Sequence, residues 1–119
     1  MITFEKVTVE NESVVKEMFK SHSLGEKKVQ YCVKVDDTYI GVIDYSVQEE
    51  RAVLSQLIIH FDYQGYGYGA NTYFTFEEMM KQRNVKEIKV LQEELTEKAK
   101  SFIESFDFTS EDEEYVKKI

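Results

Sequence analysis

HFDYQGYGYGANTYFTFEEMMKQ, residues 60–82, decides how this 119-residue chain folds. Three of its five glycines, Gly65, Gly67 and Gly69, stand at alternate positions between an apolar run and a segment of helical periodicity. A strand that enters a glycine turn and leaves as a helix is a ready site for an anion. The first N–H groups of the helix have no intrahelical partner, and its dipole adds roughly half a positive charge there. Glycines let the backbone adopt unusual dihedrals and approach a ligand without Cβ atoms in the way. A sharp connection with no ligand is the bland alternative; the alternation of three glycines favours binding.

Working outward, ITFEKVTV (residues 2–9) alternates and is rich in β-branched residues, as a strand does. ENESVVKEMFKSHS carries Val14, Val15, Met18 and Phe19 at helical spacing with Asn11 as N-cap, and Gly25 breaks that helix. VQYCVKV and YIGVIDYSV, joined by DDT, form a hairpin, and EER turns the chain into AVLSQLIIHF. After the glycines a helix runs from about Ala70 to Arg83. It places Tyr73, Phe76 and Met80 on one stripe, with Asn71, Thr75, Glu78 and Gln82 opposite. VKEIKVL is a strand, TEKAKSFIESF a short amphipathic helix and EEYVKKI a last strand. The expected order is β-α-β-β-β-α-β-α-β. The fold class is α/β, a mixed, mostly antiparallel sheet with helices on both faces, in one domain spanning 1–119.

The totals narrow the function. Forty-two per cent apolar residues, with 8 Tyr and 8 Phe, exclude a disordered chain. A formal charge of -8 argues against nucleic acid and against a polybasic membrane anchor; it serves solubility, and would also steer a cationic small molecule or basic partner inward. Cys32, the one cysteine, lies in an apolar strand and reads as a buried structural thiol. There is no span-length apolar run and no signal-peptide pattern, so the expected location is cytoplasmic. No metal-ligand spacing is evident.

Three phosphate binders compete for the glycine turn. A P-loop needs Lys and Ser or Thr after its last glycine, where Ala70 and Asn71 stand. GYGYGA satisfies the Ala-ended dinucleotide fingerprint, but too little chain follows for two βαβαβ halves. The third fits. From Leu57 the sequence reads L-x-I-x-F-x-x-Q-G-x-G-x-G-A, which resembles the acetyl-CoA signature of the GNAT N-acetyltransferase superfamily. Gln64, Gly67 and Gly69 fall on its defining positions, and Phe61 stands where proline is usual. DDTYIGVIDY is similar to the family's second and third strands, and AKSFIESFDF to its A-x-x-F-Y-x-x-x-G-F segment.

The resemblance implies an acetyl-CoA-dependent N-acetyltransferase in which a primary amine attacks the thioester directly, without metal or covalent intermediate. Gln64, Gly65, Tyr66, Gly67, Tyr68, Gly69 and Ala70 would cradle the CoA pyrophosphate. Ile58, Ile59 and His60 would border pantetheine and the thioester, with a backbone N–H near Ile59 as oxyanion donor. For a general base the residues offer Asp44, Glu49 and Glu50 on the meander and His60 at the strand end, with Asp44 and His60 carried forward as candidates. The acceptor is a small-molecule or peptide amine, and a cationic one would suit the charge.

Departures from the family pattern qualify this. The cradle has no cationic side chain, since Gln64 and Tyr66 occupy positions often held by Arg and Lys; Lys98, Lys100 and Arg83 are candidate supports. The tyrosine that protonates the leaving thiolate falls on Ile103, the glycine of G-F on Asp107, and an asparagine on Thr96. The short SHSLGEKK connection has no room for the family's second helix, which leaves the acceptor side open or completed by a second copy in a homodimer. The alternative readings are a catalytically weak or inactive CoA-binding or interaction module, and a nucleotide-binding accessory domain that merely reuses the glycine turn.

Overall fold

The computed structural model describes residues 1–21, 28–92 and 97–119. The break at Gly25, most of the SHSLGEKK connection and Thr96 lie outside the described residues. Chain order is β1 (Ile2–Lys6), α1 (Glu12–Ser21), β2 (Tyr31–Val35), β3 (Thr38–Gln48), β4 (Arg51–Ile59), a 3-10 turn (Phe61–Tyr63), α2 (Tyr68–Gln82), β5 (Glu87–Leu91), α3 (Glu97–Glu104), β6 (Thr109–Glu111) and β7 (Glu114–Lys118). Seven strands form one sheet in the order β1-β2-β3-β4-β5-β7-β6. Its β4–β5 ladder is parallel, and the β1–β2, β2–β3, β5–β7 and β6–β7 ladders are antiparallel. This is the expected mixed, mostly antiparallel α/β sheet, with one strand more than the sequence shows. β6 is three exposed residues, Thr-Ser-Glu, with no apolar alternation to announce it.

Two compact units divide the chain, Met1–Tyr45 with Gln56–Glu78, and Ser46–Ser55 with Met79–Ile119. In the first unit, α1 lays Val15, Met18 and Phe19 against Cys32, Val42 and Ile58. Side chains alternate along a strand, so Ile43 and Tyr45 of β3 face the other way. There Tyr45 stacks on Tyr31 at 5.3 Å and meets Phe76 of α2 at 5.0 Å. Helices therefore cover both faces of these strands. Tyr73 and Phe76, both 0% exposed, are the expected apolar stripe, each worth about 2 kcal/mol of burial.

The start of α1 differs from the expected N-cap. Asn11 does precede the helix, but its side-chain oxygen accepts from the Thr8 N–H (2.7 Å). Its amide nitrogen donates to Glu5 (2.9 Å) and to the Lys6 carbonyl (3.1 Å). Asn11 thus ties the helix back to β1. Glu5 also accepts from the Tyr39 hydroxyl and pairs with Lys34 at 3.5 Å; with the Tyr39 and Asn11 bonds foremost, these contacts hold its carboxyl below the usual carboxylate range.

The second unit buries Met80, Val85, Ile88, Val90, Ile103 and Phe106. Arg51 pairs with Glu87 at 2.9 Å beside the short β4–β5 ladder, and Lys89 with Glu114 at 3.1 Å. Among the described residues, no helix is long and apolar enough to cross a membrane.

Candidate functional site

β4 ends where its neighbour is irregular. The β2–β3 register jumps from Val33↔Gly41 to Lys34↔Tyr39, which leaves Ile40 as a bulge. The Ile40 carbonyl accepts the His60 N–H at 2.8 Å. A Cβ added at Gly41 would stand 2.1 Å from the Ile58 carbonyl oxygen, so no larger residue fits here without moving backbone. A glycine inside a strand is the sequence signal for such an approach.

Past β4 the chain makes one 3-10 turn. The Tyr63 N–H donates to the His60 carbonyl (2.9 Å) and the Gln64 N–H to the Phe61 carbonyl (3.2 Å). Two side chains brace it. His60 Nδ1 accepts from the Asp62 N–H at 3.1 Å, and Gln64 Nε2 donates to the Ile59 carbonyl at 3.0 Å. Gly65 and Gly67 then take φ of 85° and 81°, left-handed values that L side chains rarely adopt. Their missing Cβ atoms would point into open space, so dihedral and not room selects glycine. Gly69 is different. It lies inside α2, which starts at Tyr68 and not Ala70, because the Gly67 carbonyl already accepts the first helical bond from the Asn71 N–H (3.0 Å).

Six consecutive amides result. Among the described residues, the N–H groups of Gly65, Tyr66, Gly67, Tyr68, Gly69 and Ala70 have no hydrogen-bond partner. One turn on, the Thr72 hydroxyl is fully buried and also without a partner. Buried polar groups are nearly always satisfied, and a run of donors at the start of a 15-residue helix suits a polyanion. No lysine or arginine lies between Arg51 and Lys81, so this stretch itself offers only dipoles.

The other candidates occupy distinct roles. Ile58 and Ile59 are each 8% exposed at the end of β4. The His60 amide, next to the expected donor near Ile59, is held by the Ile40 carbonyl. Because Nδ1 of His60 accepts a bond, the neutral ring carries its proton on Nε2, which faces Glu17 at 3.9 Å. Neither nitrogen then offers a free lone pair. The Asp44 carboxylate accepts from the Gln30 N–H at 3.0 Å, clasping β2 to β3. Cys32 is fully buried, and that burial pushes its thiol up to about 11. Among the described residues, no three His, Cys, Asp or Glu side chains are grouped to hold a metal. Sequence reasoning missed the Gln64 brace and the orphan Thr72 hydroxyl, neither of which has a signature in residue order.

A family model described as an acetyltransferase (GNAT) domain matches residues 2–119. The chain belongs to the GNAT acetyltransferases. A comparison with curated proteins returns no match. Among solved structures, an acetyltransferase from Thermus thermophilus is similar at 17% identity and TM-score 0.79, with 100% of this chain and 97% of that one covered. The PaiA N-acetyltransferase of Thermoplasma acidophilum, solved in complex with coenzyme A, aligns at 14% identity and TM-score 0.70, covering 100% and 99%. Arabidopsis thaliana Naa50, in complex with the bisubstrate analogue CoA-Ac-MVNAL, aligns at 18% identity and TM-score 0.66, covering 97% and 95%. At these identities the likeness is one of fold.

Two second-unit positions singled out in the sequence of this GNAT chain have plain structural settings. Ile103 is 5% exposed and serves as packing. Asp107 has φ 69°, a left-handed backbone value that ordinarily favours glycine. Lys100 pairs with Glu97 at 3.5 Å, while Lys98 and Arg83 are exposed.

Proposed function

We propose that this GNAT domain, residues 1–119, is an N-acetyltransferase that moves an acetyl group from acetyl-CoA to a primary amine. One observation carries the reading: six successive unpaired amides, Gly65 to Ala70, across a left-handed glycine turn at the start of α2. They would hold the diphosphate of acetyl-CoA, as donors at a helix start hold phosphate elsewhere. Gln64 would act by holding the end of β4 in place, because its side chain reaches the Ile59 carbonyl and not the turn. Ile58, Ile59 and His60 would border the pantetheine arm and thioester.

In the reaction the neutral amine nitrogen attacks the thioester carbon, a C–N bond forms and the C–S bond breaks. The sulfur leaves with the electron pair, and the amine's surplus proton passes to solvent. A thiol of ordinary pKa near 8.5 departs as thiolate without an acid, though loss of such help typically costs about 10²-fold. The buried Ile103 supports a second reading, a CoA-binding module of the same fold with weak or no turnover. With a charge of -8, the acceptor class that fits best is cationic, whether small molecule or peptide. A cytoplasmic location and a homodimer completing the acceptor side are part of the same proposal.

Calorimetry with acetyl-CoA, followed by thiol release across polyamines, aminoglycosides and peptide N-termini, tests both readings. Binding with turnover on one amine class supports the enzyme. Binding with no turnover on any amine leaves the module, and no heat at millimolar acetyl-CoA removes both.

A further inference from the structure

The turn that carries the six amides also carries two tyrosines. Tyr66 is 71% exposed, between the two left-handed glycines. A Cβ at Gly65 or at Gly67 would find nothing within 4 Å, so the backbone on either side of Tyr66 is uncrowded. Tyr68, half-buried in the first turn of α2, meets the Tyr66 ring at 6.2 Å with planes 43° apart. The Tyr66 ring thus has Tyr68 as an aromatic neighbour while most of its surface stays exposed. A single exposed aromatic is ordinary. An exposed aromatic held against a second one, on the same turn as a row of orphan donors, is a stacking surface.

We infer that Tyr66, backed by Tyr68, stacks on the adenine of acetyl-CoA and supplies the anchoring that a cationic side chain would give elsewhere. The inference rests on the proposed diphosphate site and deepens it. In CoA the adenosine hangs directly from the diphosphate through its ribose, so a diphosphate on the Gly65–Ala70 amides puts the base within one sugar of the Tyr66 ring. The stretch between Arg51 and Lys81 has no side-chain cation to grip phosphate. Within this stretch, binding energy comes from backbone dipoles and from contacts insensitive to charge. Stacking of a base on an aromatic ring supplies the second.

The test compares acetyl-CoA with S-acetyl phosphopantetheine, which keeps the thioester arm and one phosphate but lacks adenosine. Affinities of both are measured by calorimetry for the unaltered chain, Tyr66→Ala and Tyr66→Phe. The unaltered chain is expected to prefer acetyl-CoA. Tyr66→Ala should lower the ratio of the two affinities about tenfold, and Tyr66→Phe, which keeps the ring, should restore it. Tyr66 is exposed, so truncation leaves the core intact, and a thermal melt of each variant confirms this. An unchanged ratio in Tyr66→Ala overturns the stacking role. Loss of the ratio in Tyr66→Phe as well overturns it in favour of a hydroxyl contact. If the unaltered chain binds neither ligand, the diphosphate site fails and the inference falls with it.

Discussion

At Gly65 and Gly67 a methyl group would meet no atom within 4 Å, yet φ of 85° and 81° opposes any L side chain. Each Gly→Ala change is expected to cost about 1 kcal/mol in urea unfolding, and to weaken acetyl-CoA binding as the amides reorient. Gly41 presents the reverse case. Its backbone needs no left-handed angle, but the Ile58 carbonyl occupies the space of a side chain. Gly41→Ala should cost about 3 kcal/mol, at the upper end of overpacking penalties, visible as a fall in the unfolding midpoint. Asp107 reverses the sign again: with φ of 69°, Asp107→Gly removes a dihedral penalty and should stabilise by up to about 1 kcal/mol. For Cys32, burial raises the thiol from 9.0 to about 11, so the folded state binds the proton more tightly than the unfolded one. Its stability contribution is full below pH 9.0 and is lost as pH rises towards 11, by about 3 kcal/mol; Cys32→Ala should flatten that slope.

Among the elements, the β4–turn–α2 unit was the most legible. Alternation, three glycines and the Tyr73–Phe76–Met80 stripe are each local signals, and the structure buries that stripe fully. Only the start of α2 moved, two residues earlier, because the backbone carbonyl of Gly67 accepts the first helical bond and needs no particular side chain to do so. β6 stayed illegible. Its three polar residues are strand by pairing with β7 and not by their own pattern. The Asn11 tether and the Gln64 brace were hidden for a related reason: both reach backward to carbonyls whose positions depend on the fold. Gln64→Ala removes a bond to the Ile59 carbonyl and should cost about 1 kcal/mol in chemical unfolding. If Gln64 aligns β4, the same change should also raise the KM for acetyl-CoA, although no charge is altered.

At the scale of the whole chain, the charge of -8 and the lack of Lys and Arg from 52 to 80 act together. An anionic protein gripping an anionic ligand through amides gains when salt screens their repulsion. Acetyl-CoA affinity should therefore hold or rise between about 20 and about 200 mM salt, over which the screening length shortens roughly threefold, while the KM of a cationic acceptor rises. A steep loss of acetyl-CoA affinity with salt would instead place a cation in the cradle. The global composition announced this balance, and the match across residues 2–119 agrees with the family resemblance carried by Gln64, Gly67 and Gly69. The acceptor stays unwritten in the sequence: of the candidate bases, Asp44 and His60 both hold backbone N–H groups.

The crowding at Gly41 has a consequence for how this chain can vary. Its obstacle is a peptide carbonyl, which every amino acid at position 58 would carry equally. No second-site replacement can vacate that space, so the position has no compensating partner and is closed to drift. Randomised libraries that seek new acceptors can therefore hold it constant and lose nothing.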